Sequence, residues 1–370
     1  MESTDLINAT LEQLGWDAAL EKAFLPFSND GCIPGRVAIE HRGAYTVYAQ
    51  DGEITAGIPG RMRHRSDGRG DLPAVGDWVA VRRAPHGDSG TIETVLPRRS
   101  KFSRHSAGVE TVEQVLAANI DTIFIVVALD QEVNLRRLER YLATAWESGA
   151  LPAVILSKAD LSPDVEARIR AVETVALGAP VHAVSATTGA GLDELTAYLS
   201  NNQTVALLGS SGVGKSTLIN ALVGQEHLKT QEIRHDGKGR HTTSHRELVL
   251  VPGGGLVIDT PGMRELQLWD VADGMEQSFD DVTSLAETCR FNDCGHVSEP
   301  DCAVRQALAD GTLPAERWSS YQKLQRELRA LHLKRDQRAA ADQRKKIRSM
   351  ARSRRQVDAD AAIRSDGGRR

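Results

Sequence analysis

Gly209-Ser210-Ser211-Gly212-Val213-Gly214-Lys215-Ser216-Thr217 decides the fold; it follows the apolar run TVALL (204–208) and opens the helical pattern TLINALVG (217–224). A loop that wraps a phosphate chain must turn several backbone N–H groups inward, and glycines let it curl that tightly. Lys215 is placed to reach β- and γ-phosphates, and the Ser216 hydroxyl to hold Mg²⁺. A chance glycine-rich turn is the bland alternative. The strand before the loop and the helix after it argue against that.

Working outward, the next apolar run, GLVIDT, ends in Asp259-Thr-Pro-Gly262. Alone this is an ordinary turn. One strand after a phosphate loop, Asp259 is placed to hold the Mg²⁺ water shell, and the Gly262 N–H to sense a γ-phosphate. Upstream, Ser157-Lys158-Ala159-Asp160 sits at the tip of a buried run, and Ser185-Ala186-Thr187 ends the following one. Guanine presents two donors on one edge, which the Asp160 carboxylate can accept. The Lys158 stem would lie along the ring face, and a backbone N–H near Ser185 and Ala186 would meet guanine O6. Polar caps on two ordinary strands are the competing reading, and their pairing beside a phosphate loop favours guanine. Ser157 stands where such motifs usually carry an Asn that braces the phosphate loop, so looser affinity is expected.

The base-reading segments precede the phosphate loop, so the nucleotide domain is read as circularly permuted. Between Gly224 and Arg246 a polar segment without clear periodicity reads as switch I. Thr243, or Thr242, would complete the Mg²⁺ shell. Met263 follows Gly262, where many GTPases carry a water-orienting Gln. His241 is the best substitute, and a solvated loop histidine is its bland reading. The candidate catalytic set is therefore His241, Lys215 and Thr243.

The rest of the chain is consistent with this. Runs 120–130, 152–160 and 181–186 alternate with helical patterns over 135–149, 164–176 and 192–199, which implies a mostly parallel sheet with helices on both faces. Between Gly35 and Arg99, five short β-rich runs (36–41, 44–50, 53–62, 77–83 and 90–96) fit an OB-type barrel, with an SH3-like barrel or a sandwich fragment open as alternatives. Ser66–Asp71 reads as a mobile loop. Ahead of the barrel, Leu6, Leu11, Leu14, Ala18 and Leu20 predict one short amphipathic helix.

Three of the four cysteines lie in Cys289-x4-Cys294-x-His296-x5-Cys302. Three thiolates and an imidazole make a tetrahedral zinc set, one ion per chain, and suit a reducing compartment. Beyond it, Lys334–Arg355 is a basic helical stretch, read as a solvated helix or an RNA contact. The 370 residues are 41% hydrophobic and 26% charged, with net charge −5, so the whole chain is no polycation. No apolar run is long enough to span a membrane, and the N-terminus has no signal-peptide pattern. The expectation is a multidomain cytoplasmic protein with no membrane partner. It has an extension (1–34), an OB-type β-barrel (35–103), a permuted α/β P-loop GTPase domain (104–278) and a helical zinc-binding domain with a basic tail (279–370).

This order resembles the ribosome small-subunit-dependent GTPase A family. The resemblance rests on Ala74-Val-Gly-Asp-Trp-Val79, Asn134-Leu-Arg-Arg-Leu-Glu139, GSSGVGKSTLIN, Gly239-Arg-His-Thr-Thr243, Asp259-Thr-Pro-Gly262 and the segment Cys289 to Cys302. Ser157 and the basic tail depart from it. The resemblance implies a GTP hydrolase acting in late maturation of the small (30S) ribosomal subunit. It would bind the subunit and its rRNA as a monomer and not DNA, use GTP/GDP, Mg²⁺ and Zn²⁺, and couple subunit-stimulated hydrolysis to release. Two other classes stay open: an ATP-using P-loop enzyme, and an RNA-binding scaffold that only senses nucleotide.

Overall fold

The computed structural model describes residues 9–41, 43–65, 69–85, 88–105, 113–224, 246–259, 275, 277–291 and 293–329. His241, Thr242, Thr243, Gly262, Met263, Leu6 and the basic stretch 334–355 lie outside the described residues, as do 66–68 of the expected mobile loop. Up to Tyr321 the described residues belong to one compact unit. A second unit begins at Gln322, and its described residues 322–329 are helical.

The N-terminal segment departs from the single expected helix. Residues 11–15 form turns, and α1 spans Ala18–Ser28. The Asp17 carboxylate accepts from the N–H groups of Ala19 and Leu20, so a new helix starts there. Leu14 and Leu20 are still buried.

Strands β1 (Ile33–Glu40), β2 (Tyr45–Ala49), β3 (Gly52–Gly57), β4 (Trp78–Arg83) and β5 (Ser89–Val95) follow the five β-rich runs. The third run is cut short: after Gly57 the chain turns into a six-residue helix, α2 (Gly60–Arg65). The strands pair in the order β1-β2-β3-β5-β4, and β4 closes back on β1. The β3–β5 pairing is parallel and the others are antiparallel. This is a closed five-stranded OB-type barrel. Val37, Val47, Ile54, Val79, Val81 and Ile92 fill its interior.

A hairpin of β6 (Lys101–His105) and β7 (Glu113–Ala118) leads out of the barrel, so the boundary expected at 103/104 falls within a strand. Gly76 closes the approach between barrel and hairpin. A Cβ there would lie 2.2 Å from the Ala118 carbonyl oxygen.

Strands β8 (Thr122–Ala128), β9 (Leu151–Ser157), β10 (Val181–Ala183), β11 (Thr204–Leu208) and β13 (Leu256–Asp259) form a parallel sheet in the order β10-β9-β8-β11-β13. Antiparallel β12 (Glu247–Leu250) flanks β13. Helices α3 (Leu135–Glu147), α4 (Val165–Glu173), α5 (Leu192–Thr196) and α6 (Lys215–Val223) cover the sheet. Alternate residues of β8 enter opposite cores: Ile123 and Ile125 pack with Leu138 and Leu142 of α3, while Phe124 and Val126 pack with Leu218 and Ile219 of α6.

Barrel and parallel sheet are joined. Ile39 pairs with Glu247, so β1 continues the large sheet through β12. The buried Arg36 donates from Nε to Gly76 O (3.2 Å), from Nη1 to Leu14 O, and from Nη2 to Asn119 O (3.0 Å) and Thr204 Oγ1 (2.9 Å). Its four bonds tie barrel, N-terminal turn and sheet base together. Beyond the sheet, α7 (Asp280–Glu287), α8 (Ala303–Asp310) and helical residues 315–321 surround the cysteine cluster. No described helix is long and apolar enough to cross a membrane.

Candidate functional site

Parallel strands deliver their C-terminal ends to one edge of a sheet, where ligands of open α/β folds bind. The phosphate loop follows β11 there. The base segments follow β9 and β10, and Asp259 ends β13. Gly209 has φ +153°, and a Cβ on it would lie 2.4 Å from Val126 O, so the loop passes too close to β8 for a side chain. Inside the loop, Lys215 Nζ donates to Gly209 O (2.7 Å) and Ser210 O (2.6 Å). Ser211, Gly212 and Thr217 are solvent-facing or in open turns, Val213 and Ser216 are half-buried, and Gly214 (φ +93°) precedes the first residue of α6.

Ser157 bears on the expectation of a looser site. Its hydroxyl donates to Val213 O at 2.6 Å, so a side chain one atom shorter in reach than Asn still ties the base segment to the phosphate loop. The bracing expected to be missing is present. Lys158 adopts φ +57°, and its ammonium meets Asp130 Oδ2 at 2.6 Å, a partner at the end of β8 that sequence reading missed. Asp160 lies exposed in the short 3-10 turn Ala159–Leu161, and its carboxylate has no partner among the described residues. Ala159 N–H donates to Val184 O (3.1 Å), which joins the two base segments. The buried Ser185 uses its own N–H on Ala190 O (2.9 Å), so the Ala186 N–H is the donor left for a base.

The second site is built around α8. Sγ of Cys289, Cys294 and Cys302 and a ring nitrogen of His296 lie within 4.8 Å of one another. Cys289 Sγ is 3.9 Å from Cys302 Sγ and 3.6 Å from His296 Nδ1, and Cys302 Sγ is 3.5 Å from the same nitrogen. A tetrahedral ion with metal–sulfur bonds of about 2.3 Å needs S···S edges of about 3.8 Å, so the residues fit one metal ion. Burial pushes the Cys289 thiol up. The backbone N–H groups of Val304 and Ala303, at the start of α8, together with the neighbouring Cys302 and Cys294 thiols, outweigh this and bring it below its ordinary value, favouring the ligating thiolate.

Glu299 holds the knuckle's backbone. Its carboxylate accepts from the N–H groups of Gly295 (3.0 Å), Val297 (2.9 Å) and Ser298 (2.9 Å). Its own backbone N–H, together with these three bonds, lowers its pKa to about 2. Glu299→Gln should lower metal affinity about tenfold, the scale of lost outer contacts around ligands. Competition with a chromogenic chelator checks this, and an unchanged affinity would show that the knuckle holds its shape without the carboxylate.

Helix α3 carries contacts that the residue patterns did not assign. Arg137 Nη1 donates to Ser210 Oγ (2.9 Å), and Tyr141 OH lies 3.4 Å from the same oxygen. Glu139 is buried and paired with Arg317 Nη1 at 2.7 Å. Arg317 also grips Asp281 (2.9 Å) and lies over the Phe279 ring (4.1 Å). The neighbouring Trp318 sets its ring edge-on to the metal-site residue His296, with centroids 5.6 Å apart. Of the helix α3 residues in these contacts, Arg137 and Glu139 lay in a quoted motif, which carried no role for them, and Tyr141 lay in none.

A phosphate loop and acid-tipped β-strand downstream of two base-reading segments, all on one sheet edge, define a circularly permuted P-loop GTPase. The family comparison agrees: the sequence profile of the RsgA GTPases matches residues 95–269. A small ribosomal subunit biogenesis GTPase RsgA of Opitutus terrae is 51% identical over 328 residues, covering 86% of this chain and 89% of the relative. One from Syntrophotalea carbinolica is 44% identical over 92% of this chain and 96% of its own length. The crystal structure of YjeQ from Thermotoga maritima aligns with TM-score 0.61 and 28% identity over 80% of this chain and 98% of that one. YloQ, described as a circularly permuted GTPase, shares the fold with TM-score 0.57 and 23% identity over 81% of this chain and 96% of its own. The chain belongs to the RsgA GTPase family and is a GTP hydrolase that uses a guanine nucleotide and Mg²⁺.

Proposed function

We propose that this GTPase binds the small (30S) ribosomal subunit and its rRNA late in maturation, as a cytoplasmic monomer. The subunit stimulates hydrolysis of GTP to GDP and phosphate, and hydrolysis releases the factor. The observation that carries the nucleotide chemistry is the Ser157–Val213 bond, which joins base segment and phosphate loop on one edge. The subunit as target rests on the names of the relatives, which are small ribosomal subunit biogenesis GTPases.

In this reading Asp160 accepts the two guanine donors and the Ala186 N–H meets O6. The loop from Gly209 to Ser216 wraps the phosphates, with Thr217 beside the α-phosphate. Ser216, Thr243 and, through water, Asp259 hold Mg²⁺, which neutralises charge developing on the phosphate oxygens. Gly262 senses the γ-phosphate and His241 orients the attacking water. Cys289, Cys294, His296 and Cys302 hold Zn²⁺, since a closed thiolate–imidazole set suits that ion.

The described residues 277–329 of the metal-binding region carry nine Asp and Glu against six Lys and Arg. Phosphate neutralisation therefore falls to the barrel and to the basic stretch 334–355. Co-sedimentation with purified small subunits tests the proposal. Recovery should be high with a non-hydrolysable GTP analogue and low with GDP, by linkage between switch ordering and docking. Binding should fall with salt, with a log–log slope near −0.7 per single-strand phosphate contacted. GTP turnover should be slow alone and strongly stimulated by subunits, but not by duplex DNA. Equal, negligible recovery in both nucleotide states would leave a GTPase with some other target.

A further inference from the structure

We infer that Arg137 is a positioning residue for GTP hydrolysis, acting on the phosphate loop through the Ser210 hydroxyl. The first turn of α3 is the wrong place for a cation by local rules, because the helix N-terminus carries partial positive charge. Yet Arg136 and Arg137 stand in that turn, and it holds no acidic residue. Asn134 caps the helix by accepting the Arg137 N–H at 3.0 Å, which fixes the backbone from which the side chain departs. The guanidinium does not fold back on its own helix. It crosses to the neighbouring loop and donates to Ser210 Oγ at 2.9 Å. One turn later, the buried Tyr141 brings its hydroxyl to 3.4 Å from the same oxygen.

Ser210 is thus held from two successive turns of α3. Its carbonyl is also one of the two oxygens that hold Lys215 Nζ. The side chain of Ser210 fixes the loop and its backbone sets the catalytic ammonium, so Arg137 controls where Lys215 starts. Arg137 itself is solvent-exposed, and nothing in the hydrophobic core depends on it. It also places a permanent positive charge beside a loop built to receive polyphosphate. Because the link runs through one hydroxyl, it is a matter of geometry rather than of global stability.

The experiment is single-turnover GTP hydrolysis by the full-length protein, with GTP affinity and melting temperature measured in parallel. Arg137→Ala should lower the hydrolysis rate about tenfold, with GTP affinity within about threefold of wild type and the melting temperature unmoved. Arg137→Lys, which keeps a donor able to reach Ser210, should recover most of the rate. In Arg137→Ala/Ser210→Ala the loss should match the larger single loss, because both changes cut one link. Wild-type turnover in the same assay establishes the GTPase reaction independently. Against that control, an unimpaired Arg137→Ala, a lysine variant as slow as the alanine one, or multiplying losses in the double variant would each overturn the assignment.

Discussion

Asp160→Asn should bind GTP about a hundredfold more weakly than the wild type and gain affinity for xanthosine triphosphate. The carboxylate stands free at the tip of β9, in the 3-10 turn Ala159–Leu161, with no hydrogen-bonding partner among the described residues. It is available to accept both guanine donors. An amide offers one oxygen and puts two donors against the base. Losing two charge-assisted bonds costs about 3 kcal/mol, a factor of about a hundred. Xanthine presents an acceptor at the edge where guanine presents its amino group, so the amide suits it better. Fluorescence titration with both nucleotides measures the exchange. Unchanged GTP affinity would move guanine recognition to another residue.

The largest expected stability effect belongs to Arg317→Met. Arg317 and Glu139 are each only 4% exposed at the side chain, and the guanidinium also holds Asp281 and the Ser278 carbonyl. Removing the cation leaves a carboxylate buried in α3 without its partner, which costs about 3–5 kcal/mol. Denaturant unfolding should show this loss, and Glu139→Gln in the same chain should restore part of it. The pH dependence has a definite sign. Burial raises Glu139 above its ordinary 4.5, although Arg317 pulls the other way. A raised folded value means that the folded state holds the proton better. That contribution is complete below the unfolded value and is lost as pH rises through the folded one. In Arg317→Met the folded value climbs further, so the deficit should be small in acid and grow towards neutral pH. A deficit independent of pH would show that lost packing over Phe279, rather than an unpaired Glu139, is responsible.

Much of the active edge was legible because phosphate and base recognition are local. A loop of nine contiguous residues carries its own turn geometry, and its flanking strand and helix are visible as changes of hydrophobic period. The Cys289–Cys302 spacing was readable for the same reason: four candidate ligands within fourteen residues need only two tight turns. The five barrel strands were visible as short runs, but no run shows which strand it pairs with. The N-terminal helix was misread because Leu14 and Leu20 are both buried, which mimics one continuous stripe. The capping carboxylate of Asp17 restarts the chain between them. The Ser157 contact was not legible either: an amide does this bracing in the usual motif, whereas the close passage of Val213 lets a hydroxyl reach the phosphate loop here.

By itself, the sequence determined the class of chemistry, the permuted order of the motifs, the cysteine–histidine cluster that can hold a metal ion and the strands that carry the motifs. Each of these is written in residues close together in the chain, whose backbone conformation and donor types are chosen locally. Only the tertiary structure decided that Arg137 reaches Ser210, 73 residues away, that Arg317 pairs with Glu139 across 178, and that Arg36 donates to Thr204 across 168. A long side chain on a helix or strand can reach many partners. Which one it meets depends on how whole elements pack, and that packing is set by the apolar cores on both faces of the sheet rather than by anything near the residue in sequence.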